Sequence, residues 1–356
     1  MRNSTKPKKK KRIVWLLRII MPIVAIISAV VFVPWNGVFA WLAPLPDTIQ
    51  EQVDDAIDHG LDGIIVYVDE PGKPSALYHA GWKDRSNQVP ADPEALFKIA
   101  SISKLYIAAA TVKLVHNSSL SLDDTLSEHL PELEGRIENA GQITLRMLLQ
   151  HRSGIPNFVD QEEFDWSKSH TDIGEHLQLV FNKHANFESD SRYQYSNTNY
   201  LLIGRILDND LGYSHHQYIK EQLLDPLGLT HTYNLLGQVN STDVVSGYHH
   251  PYEGDTKELD WVTPGGSMVA TARDVGIFLR ALHDGSLLNS DEQAIYSSVY
   301  EYEHTGWLLG YYSIARYHKE MDTVVVQFVN TTGENTLMVS NIVYNRIVRI
   351  LCDNEN

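Results

Sequence analysis

Cysteine is almost missing from this 356-residue chain, Cys352 being the only one. No intrachain disulfide can form, so a domain exposed to an oxidising environment must rest on its core alone. Cys352 also lies too close to the chain end to suggest a nucleophile. Acidic residues are missing before Asp47, a stretch in which Arg2, Lys6, Lys8, Lys9, Lys10, Lys11, Arg12 and Arg18 are all basic. Charge of either sign is missing from Ile19 to Ala43. Sixteen histidines include no H-E-x-x-H or comparable ligand spacing, so no metal is expected. There is no internal repeat, and the basic tail is the one low-complexity tract.

What is present is 43% hydrophobic and 21% charged, enough for a substantial core in one or two domains. The formal charge of −16 hides an asymmetry. Setting aside the eight basic residues up to Arg18 leaves 21 basic against 45 acidic residues, a net charge of −24. A body that acidic repels nucleic acid, and metabolite or cell-wall chemistry fits better.

The apolar run follows the basic tail directly. As a helix, Ile13 to Val33 would be about 31 Å long, sufficient for the hydrocarbon core of a bilayer. Arg18 near its cytoplasmic end can snorkel. A cleaved signal peptide is the competing reading, with Val38 and Ala40 as the small residues before the cut. Such peptides have apolar cores of roughly 7–15 residues, so an uncleaved anchor is favoured. The positive-inside rule keeps the lysines in the cytoplasm and sends residues from 45 onward outside. The expected protein is thus single-pass in the cell membrane, with a basic tail (1–12), a transmembrane signal-anchor (13–43) and an extracytoplasmic domain (44–356).

Within that domain "APLPD" (43–47) is a linker, and Asp47 is expected to cap a helix with Ile49, Val53 and Ile57 on one face and Gly60 as its stop. "GIIVYV" (63–68) and "SALYHAGW" (75–82) read as a strand hairpin. A long apolar helix runs from about Ser101 to Val115, with Thr144 as a later N-cap. Further helices are expected at 171–183, 197–209, 214–225 and 271–283. "GWLLGYYSIARY" and "DTVVVQFVN" alternate like strands, and a final amphipathic helix spans about 336–351. Strands at both ends and helices between predict an α/β fold of the α+β type. One antiparallel sheet would be built from both chain ends (about 47–118 and 295–356), with a mainly helical region (about 119–294) inserted.

Three short motifs carry the chemistry. Ser101 and Lys104 stand three residues apart at a helix start, their side chains about 60° apart and roughly 4.5 Å along the axis. An amine beside a hydroxyl can take its proton if burial lowers the amine's pKa. Alone, S-x-x-K occurs about once by chance in a chain this long. Tyr195-Ser196-Asn197 and His304-Thr305-Gly306 follow in order, each at the mouth of an expected helix or strand. The rival Thr331-Thr332-Gly333 reads instead as a turn into the last helix.

The set S-x-x-K, Y-x-N, H-T-G resembles the serine β-lactamase and DD-peptidase superfamily, especially class C β-lactamases, carboxypeptidases and related esterases; the sister set with S-D-N and K-T-G works by the same logic. "LLQHRSGIP" (148–156), "LLDPLGLTHT" (223–232) and "PGGSMVATARDVGIFLRALHDGSLL" (264–288) also look like this family. The resemblance implies that Ser101 is the nucleophile of an acyl-enzyme mechanism, with Lys104 and Tyr195 sharing the roles of base and proton donor. It implies that Asn197 hydrogen-bonds the substrate's amide or the Lys104 side chain, that His304, Thr305 and Gly306 hold the substrate, and that the backbone N–H groups of Ser101 and Trp307 form an oxyanion hole. Neither metal nor cofactor is implied.

Two departures matter. Histidine replaces the usual lysine at 304 and is mostly neutral near pH 7, which weakens carboxylate binding. Ala100 replaces a usual glycine before the nucleophile, a change read as tolerable. His151 is expected to orient a turn, Glu162, Glu163 and Asp165 to form an exposed acidic loop near the rim, and the pairs His215-His216 and His249-His250 to be solvated. The expectation is a membrane-anchored extracytoplasmic serine hydrolase acting on D-alanyl peptides, peptidoglycan among them, or on small amides and esters. A β-lactamase or a non-catalytic penicillin- or peptidoglycan-binding receptor on the same fold is the alternative.

Overall fold

The computed structural model describes residues 7–252 and 254–354, with side chains from residue 13; the first six residues of the basic tail lie outside the described residues. Its longer helices are α1 (Pro7–Phe32), α2 (Ile49–Asp58), α3 (Ser103–His116), α4 (Asn197–Leu211), α5 (Ala272–Asp284), α6 (Ser290–Val299) and α7 (Thr336–Asn354). The main sheet comprises β1 (Gly63–Asp69), β2 (Ala76–Asp84), β3 (Val89–Pro90), β4 (His304–Leu308), β5 (Tyr311–His318) and β6 (Thr323–Val329).

Alternation along β1 explains the architecture. Ile64, Val66 and Val68 pack into a cluster with α2 and α7, whereas Ile65 and Tyr67 join the larger core of the helical region. A strand buried on both faces needs layers on both sides, and the two terminal helices supply one of them. The strand order is β3-β2-β1-β6-β5-β4, with every neighbouring pair antiparallel. The central pairing of β1 with β6 joins the two ends of the domain, as the strand distribution predicts. On the other face, Tyr106 of α3 stacks on Phe278 of α5 with ring centroids 3.7 Å apart.

Several local expectations change. Thr48, not Asp47, caps α2, in a reciprocal capping box with Glu51. The helix read from Ile13 to Val33 ends at Phe32, and the rest of the apolar run forms a second, short helix. Pro34 lacks an N–H and disfavours helix before it, so α1 stops at Phe32 and a short helix, Trp35–Leu42, begins beyond. The helix expected at 171–183 is only Ile173–Gln178, and α6 was not anticipated. Thr331–Gly333 is a short buried strand parallel to Tyr248–His250, and its hydroxyls accept from Asp62 and Gly310 N–H groups. His215 is buried and hydrogen-bonded to Asp208 at 2.7 Å, not solvated.

Candidate active site

The segment carrying Ser101 enters from the short strand Phe97–Lys98 and tightens into a 3₁₀ turn, Ala100–Ile102, before α3 begins. Ala100 has φ +50°, a left-handed conformation that costs a residue with a Cβ about 1–2 kcal/mol. Alanine at 100 is therefore strained rather than a neutral replacement for glycine. Ser103 Oγ donates to the Ala100 carbonyl at 2.6 Å and Ser313 Oγ to the Ile99 carbonyl at 3.1 Å, which pins the turn.

That turn aims Ser101 Oγ between two partners. Lys104 Nζ lies 3.0 Å away and the Tyr195 hydroxyl 2.7 Å away. Lys104 is fully buried and also donates to Asn197 Oδ1 at 3.0 Å and to the Gly265 carbonyl at 2.7 Å. Three acceptors suit both protonation states. An ammonium gives each oxygen one hydrogen; a neutral amine keeps two for Asn197 and Gly265 and turns its lone pair to the serine. Burial pushes the Lys104 amine down to about 7 and holds the Tyr195 phenol well above its ordinary value. Of the two groups, Lys104 is the one whose neutral form is populated near pH 7.

Tyr195 and Asn197 sit at the entrance of α4, in a loop braced by "LLQHRSGIP". His151 Nδ1 accepts from the Ser196 N–H at 3.2 Å, and its ring lies against Tyr195 with centroids 4.5 Å apart. The imidazole is buried and pushed down to about 3, so it stays a neutral acceptor. Its positioning part matches the expected turn-orienting one. Asn157 Oδ1 accepts the Asn197 N–H at 3.0 Å.

His304, Thr305 and Gly306 lie on β4, the edge of the sheet next to the nucleophile turn. A Cβ on Gly306 would come within 2.3 Å of the Ile99 carbonyl oxygen and 2.3 Å of Ser313 Oγ. Glycine at 306 is thus required for contact between edge strand and nucleophile turn, a reason different from room for a substrate. Gly265 is similar: a Cβ there would meet Lys104 Cγ at 2.9 Å, and without one the carbonyl reaches the amine. His304 is half-buried, and burial with the nearby Lys104 charge pushes it down to about 4.

Ser101, Tyr195, Asn197, His304, Thr305 and Trp307 all line one open cavity of about 520 Å³. Its apolar wall is Phe158, Phe164, Trp166, Trp261 and Leu308. Phe164 and Trp166 come from the loop of Glu162, Glu163 and Asp165; Glu162 and Glu163 are exposed, as expected of a rim. A second buried lysine, Lys98, donates to the carbonyls of Leu259 at 2.6 Å and Thr256 at 3.3 Å, holding the segment that carries Trp261. Asn157, the Gly265 carbonyl, Lys98 and the aromatic wall escape sequence reasoning. The first three act through backbone or amide groups of distant loops, and the tryptophans have no periodicity that marks them. Among the described residues there is no group of side chains suited to a metal.

A family model described as Beta-lactamase matches residues 45–300, and the chain belongs to that family. The match ends before His304, so the third motif stands on the geometry above. Protein flp of Staphylococcus aureus (strain COL) is 28% identical over 243 residues, covering 65% of this chain and 48% of that protein. The chain spans about half the length of the curated relatives it matches. Two solved structures share the fold. D-amino acid amidase from Ochrobactrum anthropi SV3, complexed with D-phenylalanine, has a TM-score of 0.78 at 23% identity, covering 86% of this chain and 98% of that one. A penicillin binding protein from Bacillus halodurans has a TM-score of 0.72 at 20% identity, covering 84% and 99%.

Proposed function

We propose that this chain is a membrane-anchored serine hydrolase that works through an acyl-enzyme on small amides or esters outside the cell membrane. One observation carries the catalytic part: a single hydroxyl, Ser101 Oγ, lies 3.0 Å from a buried lysine amine and 2.7 Å from a half-buried phenol. Neutral Lys104 takes the Ser101 proton as Oγ attacks the substrate carbonyl. Backbone N–H groups of Ser101 and Trp307 receive the oxyanion. The proton then has to reach the leaving group, and Tyr195, bonded to the same oxygen, is the hydroxyl that passes it on. Water deacylates the serine through the same groups in reverse. The aromatic wall suits a bulky apolar acyl portion, and the amidase among the structural relatives supports amide substrates of D configuration.

The anchor rests on Ile13–Phe32, a helix of mean hydropathy 2.5 with nothing buried, behind a basic tail. The test of the catalytic reading is intact mass of the full chain in detergent after exposure to a fluorophosphonate. A single adduct on the wild type and none on Ser101→Ala is expected; equal labelling of both sinks the assignment. An adduct without turnover of any amide or ester would indicate a receptor instead.

A further inference from the structure

The walls of the catalytic cavity are unevenly charged. Two carboxylates line it, Glu301 and Glu303, against one guanidinium, Arg316. Arg316 Nε lies 3.4 Å from Glu303, so those two charges offset one another. Glu301 is exposed and has no ion-pair partner among the described residues.

The other basic groups of the site offer a ligand no free positive charge. Lys104 is fully buried, and its Nζ is occupied by three oxygens. His304 Nδ1 lies 2.5 Å from the Thr305 carbonyl, which can only accept, so Nδ1 carries the hydrogen. Nε2 is then a lone pair, an acceptor, and the ring is neutral above about pH 4. A substrate carboxylate would meet Glu301, and the one cation among the described residues that line the cavity, Arg316, is already paired with Glu303. An ammonium would meet one carboxylate, one imidazole lone pair and a wall rich in aromatic side chains, surroundings that favour a cation. The net charge of −24 beyond Arg18 also draws cations toward the domain.

We propose that this pocket selects acyl donors bearing an ammonium group, received by Glu301 with His304 Nε2 as second acceptor, and discriminates against donors bearing a carboxylate. The substrate class is then aminoacyl amides or esters rather than carboxylate-terminated peptides. The inference rests on the acyl-transfer reading above and adds Glu301 as its specificity determinant.

The experiment compares three p-nitroanilides of D-phenylalanine on the full chain in detergent: the free amine, the N-acetyl and the N-succinyl compound. At pH 6.5 most of the free α-amine is protonated. The kcat/KM ratio of free amine to succinyl compound is expected to be about 100, with the acetyl compound between; each tenfold step corresponds to about 1.4 kcal/mol. Glu301→Gln should shrink the ratio of free amine to acetyl compound about tenfold, and Glu303→Gln much less, because Arg316 already offsets Glu303. Glu301 is exposed, so the variant is expected to fold, and a melting curve checks this. Turnover that Ser101→Ala abolishes, but with the succinyl compound equal or preferred, overturns the inference while the hydrolase reading survives. An unchanged ratio in Glu301→Gln does the same. If no anilide turns over, the three compounds are ranked by how far each slows fluorophosphonate labelling, and the absence of the same order overturns the proposal. Failure of both turnover and labelling removes the hydrolase reading and this inference with it.

Discussion

A lysine amine sealed from solvent is costly unless it is neutral or well partnered, and Lys104 is both buried and triply hydrogen-bonded. Its pH behaviour follows. Burial pushes the folded value down to about 7, against about 10.5 in the unfolded chain. Between those values the unfolded chain binds more protons, so this group makes stability rise with pH; below 7 both states are protonated and the burial cost is fully present. Wild type should therefore gain stability over Lys104→Met, on the order of a few kcal/mol, as pH rises from about 6.5 to 10. Urea midpoints of both proteins across that range check this, and parallel curves would exclude a depressed Lys104. The same titration should appear in kcat/KM as a rise centred near pH 7, while His304, neutral above about 4, adds no limb there. The sequence carried this residue legibly, because S-x-x-K and an all-apolar helix are local patterns. It gave no hint that the third oxygen on Nζ is a backbone carbonyl, since Gly265 O has no side chain to signal it.

Among the elements, the edge strand β4 and the nucleophile turn act as one unit, joined where Gly306 faces the Ile99 carbonyl and Ser313. Gly306→Ala would drive a methyl against groups held by hydrogen bonds, and overpacking of this kind costs about 1–3 kcal/mol. Because the displaced turn carries Ser101, fluorophosphonate labelling should slow at least tenfold, more than the stability loss alone would cause. Labelling at the wild-type rate would separate strand from turn. Ala100→Gly works in the opposite direction. Relief of strain at φ +50° should match or exceed the entropic cost of glycine, leaving stability unchanged or higher by up to about 1 kcal/mol, as a melting curve would read. At this scale the sequence was legible where period and caps agree: the β1–β2 hairpin, α3, α4, α5 and α7 fall where apolar spacing put them. It was less legible where the chain is held by tertiary contacts. The 171–183 stretch keeps only one short helix, with the buried His176 ring stacked on Phe158. Ser290–Val299 was missed despite the capping signal of Asn289 and Glu292, because its apolar stripe is weak.

For the whole molecule, the proposed anchor joins the catalytic domain through a segment tied down by hydrogen bonds and packing. Trp35 Nε1 donates to the Ala29 carbonyl at 3.0 Å across the Pro34 break, fixing the bend between α1 and the helix Trp35–Leu42. That short helix buries Gly37 and Ala40; Gly37 faces Met338 of α7 closely, while Trp35, Phe39, Trp41 and Leu42 stay exposed. Exposed tryptophans immediately after the proposed spanning segment would suit the headgroup layer. Arg346 of α7 then donates to the Ala43 carbonyl at 2.9 Å and the Pro44 carbonyl at 2.5 Å, and also to Gln52 of α2. One guanidinium thus ties linker, first domain helix and last helix together, on the sheet face opposite the helical region. Hydrogen bonds to a charged group contribute about 1.5–3 kcal/mol each. Arg346→Gln should therefore loosen the linker without disturbing Ser101. With full-length protein in nanodiscs, limited proteolysis between residues 43 and 48 should quicken at least tenfold, while kcat/KM for a soluble substrate stays within twofold. Equal cleavage of wild type and variant would mean that the domain hangs on a flexible tether, and the cavity's orientation to the membrane would then be unconstrained.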